Sequence, residues 1–220
     1  MELNTVIFDI DGLLVDSEPL WNEAASEVFK QYGVDLTEEQ YKTTTGLRTK
    51  EFVEWWFGYY NIGNEEYARA EKNIVQKVLN KIEHKGKIMP GVNYIFEFFA
   101  KKGFKTGLAT SSPPALIDLV VEMTGIKKYL HATSSAEDLL FGKPHPQVYL
   151  NCAEMLNSQP VQCVCFEDSF NGMIAAKAAR MKCVIVPHAS QAKDEKWGAA
   201  DLKLSSLQNF GELHFNLVNP

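Results

Sequence analysis

The chain has 220 residues, 45% of them hydrophobic, enough to bury one large domain or a core with a smaller insert. Its formal charge of −6 argues against an extended nucleic-acid surface. No apolar run approaches the roughly 20 residues of a membrane span, and MELNTVIFD lacks the basic region and cleavage site of a secretory signal, so a cytoplasmic protein is expected.

The first element is TVIFDI, residues 5–10, an apolar and partly β-branched run ended by the turn signal Asp11-Gly12. It reads as a buried strand. Residues 18–86 then contain no convincing strand. WNEAASEVFKQYG carries apolar residues at helical spacing up to Gly33, and LTEEQYKTTTG, RTKEFVEWWFGYY and NEEYARAEKNIVQKVLNKI also read as helices. Thr37 with Gln40 predicts a capping box. The aromatic stretch WWFGYY is expected to form the core of this helical insert.

Beyond residue 86, strand and helix alternate. KTGLAT (105–110), LHATSS (130–135), QCVCFE (162–167) and KCVIVP (182–187) read as strands. Helices are predicted over Gly91–Lys102, Pro113–Met123, Pro146–Leu156 and Phe170–Met181. The segment 188–203 reads as a polar loop. This alternation predicts an α/β fold, a mostly parallel sheet covered on both faces. Cys152, Cys163, Cys165 and Cys183 read as buried reduced thiols, and no second Cys/His pair stands at zinc-finger spacing.

Reactive residues fall at the ends of the predicted strands: Asp9 and Asp11, then Thr110 and Ser111, then Glu167 and Asp168, with Lys143 on a loop before a helix. In an open α/β sheet, ligands bind beyond the carboxyl ends of the strands. Each residue alone has an ordinary explanation. Asp11-Gly12 is a common turn, Glu167-Asp168-Ser169 and Thr110-Ser111-Ser112 suit helix caps, and Lys143 suits a solvated loop. Together, four carboxylates at two strand ends repel one another unless a cation neutralises them. Carboxylate oxygens suit a hard cation such as Mg2+. That arrangement fits phosphoryl transfer: one Asp attacks phosphorus, and a second, two residues on and facing the same side, exchanges protons with the leaving oxygen and with water.

The set DIDGLLVDS, LATSS, GKPHP and EDSFNG resembles the haloacid dehalogenase superfamily, across essentially the whole chain and in the family's order. The insert directly after the first motif looks like the β-phosphoglucomutase-like branch. More narrowly, DSEPLW, KPHPQVYLNCAEML and LKLSSL are similar to the bacterial 2-deoxyglucose-6-phosphate (hexitol-phosphate) phosphatases. The resemblance implies a doubly wound Rossmann-like core, residues 1–16 and 87–220, with a mobile helical cap, residues 17–86, hinged near Asp16-Ser17 and Gly86. It implies Asp9 as nucleophile and metal ligand, and Asp11 as general acid/base with its backbone carbonyl on the metal. Thr110 and Ser111 would hold the phosphoryl group, Lys143 would balance charge, and Asp168 and Glu167 would bind Mg2+, with Mn2+ as an alternative. Arg48 falls where relatives place a substrate-binding arginine. The implied partner is a small phosphorylated sugar, with no nucleic acid and no membrane, and the chain is expected to be a monomer.

Three other readings are weaker. Dehalogenation needs neither Asp11 nor the Glu167-Asp168 pair, and Schiff-base phosphonate cleavage needs a cap lysine that nothing singles out. A non-catalytic binding protein has no reason to keep Asp9 and Asp11. The serious alternative is a mutase moving phosphate between sugar hydroxyls. Relatives of that kind carry a histidine where this chain has Trp21, which favours hydrolysis.

Overall fold

The computed structural model describes residues 2–219; Met1 and Pro220, the outer limits of the expected core, lie outside them. Six parallel strands form one sheet in the order β3-β2-β1-β4-β5-β6. They are β1 (Thr5–Phe8), β2 (Lys105–Thr110), β3 (Ala132–Ser135), β4 (Cys163–Glu167), β5 (Lys182–Ile185) and β6 (Leu202–Lys203). The helices are α1 (Glu18–Phe29), α2 (Glu38–Thr44), α3 (Thr49–Tyr59), α4 (Tyr67–Lys85), α5 (Val92–Lys101), α6 (Pro114–Thr124), α7 (Gln147–Met155), α8 (Phe170–Ala178) and α9 (Glu212–Val218). This is the predicted α/β class. Among the described residues no helix is long and apolar enough to cross a membrane.

Alternation along the strands builds two apolar layers. Val6, Phe8, Val164, Phe166 and Val184 face α5 and α6, where Phe8 stacks on Phe96 and Phe166 at ring distances of 4.5 and 5.0 Å. Ile7, Cys163, Cys165, Cys183 and Ile185 face α7 and α8. All four cysteines are free and buried, as expected, and burial raises the pKa of every thiol. The sheet order reverses beside β1, so the crevice between β1 and β4 opens where ligands bind in such sheets.

Helices α1–α4 occupy the sequence between β1 and α5. Val28 of α1 and Ile74, Val78 and Ile82 of α4 are fully buried, and Phe29 packs on Phe57 at 4.8 Å. The chain enters and leaves this insert side by side: Asp16 N–H donates to Lys87 O at 2.8 Å and Met89 N–H to Leu14 O at 2.9 Å. The Thr37/Gln40 capping box forms as predicted.

Several expectations are corrected. The first insert helix begins earlier, at Glu18 with Pro19 in its first turn, and ends in a 3-10 turn before Gly33, whose φ of 72° stops it. WWFGYY is only half core: Trp56 and Phe57 are buried, but Trp55 and Tyr59 are 62% and 67% exposed. The 188–203 loop ends in strand β6, too short to carry a sequence pattern. Several strands are shorter than predicted; β1 stops at Phe8, which leaves Asp9 just beyond it.

Candidate active site

Asp9, Asp11, Thr110, Ser111 and Lys143 line one cavity, so the structure brings these predicted residues together. Its volume is about 80 Å3 in this conformation, room for a few waters. Insert residues Glu18, Trp21, Asn22, Tyr41, Thr45 and Phe52 line its other side.

Asp9 follows β1 and is 5% exposed. Its backbone N–H donates to Phe166 O at 3.0 Å, which locks it beside the end of β4. Lys143 is no solvated loop lysine: it is 2% exposed. Its Nζ donates to Asp9 Oδ1 and Glu167 Oε1, both at 2.6 Å, and to Ala109 O at 3.1 Å. Burial disfavours its charge, but Asp9 and Glu167 outweigh that and raise its pKa, so it stays cationic. One cation between two buried carboxylates leaves Asp9 short of positive charge. Burial raises the Asp9 pKa well above the carboxylate range, Lys143 opposes this, and the charges of Glu167 and Asp11 add to it.

Glu167 is fully buried and saturated. Oε1 takes Lys143 and, at 2.6 Å, the Tyr149 hydroxyl. Oε2 takes the N–H groups of Asp168 and Ser169 and the Ser169 hydroxyl, at 3.1–3.2 Å. Ser169 also caps α8 through Gly172 N–H, so the capping role and the site coexist. Asp168 is raised by burial, then by the charges of Glu18, Glu167 and Asp9. Glu18, beside them, is pushed up to about 8 by burial and the charges of Asp11 and Asp16.

Ligand oxygens of Asp9, Glu167 and Asp168 lie within 4.8 Å of one another. Gly12 makes room for this cluster: its φ is 68°, and a Cβ there would sit 2.0 Å from Asp168 Oδ2. An all-oxygen set of three carboxylates this close together, with Lys143, among the described residues, as the one cation on Asp9 and Glu167, fits a hard divalent cation. Glu167, with both oxygens already engaged, is better placed to reach it through water than Asp9 or Asp168. The Asp11 carboxylate stands outside the set. Its Oδ1 accepts from the Ser17 hydroxyl (2.6 Å) and Trp21 Nε1 (2.7 Å), and its Oδ2 from the Ser112 hydroxyl (2.6 Å).

The 110–112 segment is not the helix cap that its sequence suggests. Pro113 is the N-cap of α6, without a side-chain bond. The hydroxyls serve the site instead: Thr110 Oγ1 accepts from Ser112 N–H at 3.0 Å, and Ser111 Oγ donates to Gly46 O of the insert at 2.8 Å. Arg48 does not line the cavity; its guanidinium points to the loop before Lys143. Sequence reasoning missed Tyr149 on Glu167 and Ser112 on Asp11. Both lie inside quoted motifs, LATSS and KPHPQVYLNCAEML, but nothing in those motifs assigned them these partners.

A family model described as haloacid dehalogenase-like hydrolase matches residues 6–186. Hexitol phosphatase B of Escherichia coli is 38% identical over 207 residues, which cover 94% of this chain and 93% of that protein. A phosphorylated carbohydrates phosphatase of Thermotoga maritima is 32% identical over 177 residues, covering 80% and 82%. In fold, the chain resembles a crystal structure of β-phosphoglucomutase from Clostridium difficile, with a TM-score of 0.86 over 97% of this chain and 96% of that one, at 22% identity.

Proposed function

The chain belongs to the haloacid dehalogenase-like hydrolases and is a phosphoric monoester hydrolase, and from that premise we propose that it hydrolyses sugar or sugar-alcohol monophosphates with Mg2+ through an aspartyl-phosphate. One observation carries the reading. Asp9, Asp11, Thr110, Ser111 and Lys143 surround a single cavity, and Asp9 shares a carboxylate cluster with Glu167 and Asp168. Mg2+ would be held by Asp9 and Asp168, with Glu167 and the Asp11 carbonyl in support, and would supply charge neutralisation for the carboxylates and the phosphate; Mn2+ suits the same oxygens.

A carboxylate oxygen of Asp9 attacks phosphorus, and the bond from phosphorus to the sugar oxygen breaks. Asp11 gives its proton to the departing alkoxide, so the sugar leaves as an alcohol. Asp11 then takes a proton from water, whose oxygen attacks the phosphorus of the aspartyl-phosphate. Inorganic phosphate leaves and Asp9 is regenerated. Thr110 and Ser111 steady the phosphoryl oxygens, while Lys143 holds Asp9 in line. The helices of residues 17–86 act as the cap over this core.

The rest of the cavity suits an uncharged polyol. Asn22, Thr45 and Thr49 line it with hydroxyl and amide groups. Among the described residues Lys143 is the only cationic side chain on the wall. A mutase working through a phosphoenzyme must also hold a bisphosphate, and nothing on the wall would balance a second phosphate. Buried free thiols suit a reducing compartment, which supports the cytoplasm.

The test is phosphate release from hexose, deoxyhexose, hexitol and pentose phosphates with Mg2+ and then EDTA, following isomerisation of β-glucose 1-phosphate alongside. Metal-dependent release is expected, and Asp9→Asn abolishes it while leaving the circular dichroism spectrum unchanged. Isomerised product with little free phosphate would move the protein to the mutases.

A further inference from the structure

Arg48 opens α3 and is 6% exposed, yet it is turned away from the cavity. Its Nη1 donates to the carbonyls of Ala136 (3.0 Å), Glu137 (3.3 Å) and Leu139 (2.5 Å), and its Nη2 to Leu140 O (3.4 Å). Glu51, one turn along, holds the guanidinium from the other side, with Oε1 2.7 Å from Nη2. The same Oε1 accepts the Gly142 N–H at 2.9 Å. Gly142 immediately precedes Lys143. Its bare Cα makes the fit possible: a Cβ there would fall 2.5 Å from Glu51 Oε2 and 2.7 Å from Arg48 Nε.

A planar guanidinium spread over four carbonyls of one loop is a clasp, and the loop it grips carries the lysine on which Asp9 depends. We propose that Arg48 and Glu51 are positioning residues. When the insert lies against the core, they fix the 136–142 loop and, through Gly142, hold Lys143 between Asp9 and Glu167. Separating the insert from the core breaks the clasp and frees the loop, so closure and the setting of Lys143 are one event. The proposal rests on the phosphatase reading only for its kinetic consequences.

The experiment uses the full chain with Mg2+ and a hexitol monophosphate. The variants are Arg48→Lys, Gly142→Ala and the two combined. Hydrogen exchange at residues 136–143 is followed without substrate. Arg48→Lys keeps the charge and loses the planar fork; Gly142→Ala removes no functional group and crowds the clasp from the core side. Each is expected to lower kcat roughly tenfold to a hundredfold through misplacement of Lys143. KM should move less than about threefold, as for a group that does not bind substrate. Loop exchange should speed up in both, and the double variant should be no worse than the poorer single. If Arg48 instead binds substrate, Arg48→Lys raises KM with kcat intact and Gly142→Ala is silent. That result, or losses that add in the double variant, overturns the proposal. Turnover with normal kinetics and unchanged loop exchange in both variants also overturns it. Faster loop exchange in a protein inactive on every sugar phosphate would support the clasp and remove the phosphatase reading instead.

Discussion

Lys143 has to neutralise two carboxylates from one buried ammonium. Its bonds to Asp9 and Glu167 are both 2.6 Å, and none of the three groups can turn to solvent. Removing one member of such a group strands the others' charge in the interior. Lys143→Met, close to lysine in length, therefore is expected to cost roughly 3–5 kcal/mol of stability as well as activity. Urea unfolding in EDTA measures the cost. Pairing it with Glu167→Gln should recover part of the loss, because one stranded charge is gone. A loss no larger than that of an exposed lysine would mean the triad carries no strain. The motif residues Asp9, Asp11, Thr110, Ser111, Lys143, Glu167 and Asp168 were legible in sequence because each ends a strand or starts a loop between recognisable elements. Their partners Trp21, Ser112 and Tyr149 act through side-chain reach across the fold, which no spacing encodes.

At the scale of elements, the insert is joined to itself by one long-range ion cluster. Glu27 of α1 receives Lys77 and Lys81 of α4 at 2.6 and 2.7 Å. The hydrogen bonds from those lysines bring Glu27 from 4.5 down to about 2. A depressed carboxylate contributes stability that is complete above its unfolded pKa and is lost as pH falls through the folded one. The stability difference between the parent chain and Glu27→Gln should therefore shrink between about pH 4.5 and about 2. Glu27 is 41% exposed, so screening limits the full difference to roughly 0.2–1 kcal/mol. Unfolding of both proteins across that range, in low salt, measures it; a difference independent of pH would show that the cluster does not couple to folding. Element identity was legible here because apolar periodicity is long in α1, α4 and α5, and β2 is a short continuous buried run. It failed at β6, where two residues pair with β5. In WWFGYY the helix was legible but its burial was not, because a run of aromatics hides one buried and one exposed face.

For the whole molecule, the α/β core and the helical insert were readable from the alternation of elements and its interruption. How the two meet was not, because those contacts join residues far apart in sequence. Ser111 reaches Gly46 O, Asn171 Nδ2 donates to Thr45 O at 2.8 Å, and Arg48 holds the 136–142 loop. These contacts bring the insert against the site and leave a partly open cavity of about 80 Å3 beside Asp9. A hexitol phosphate is larger than that space, so binding is expected to involve movement of the insert, pivoting on the paired segments around Val15 and Ile88, which form the two crossings. Two adjacent crossings permit rotation of a rigid body more readily than unravelling. The free protein should therefore sample an expanded form, and Mg2+ with vanadate, a phosphate analogue, should favour the compact one. Small-angle scattering with and without the analogue reads this directly. A decrease in radius of gyration on binding supports gating, with hydrogen exchange slowing at residues 45–51 and 136–143 together. An unchanged radius with unaltered exchange at both segments would mean that the insert is fixed and that substrate enters through the cavity's open side.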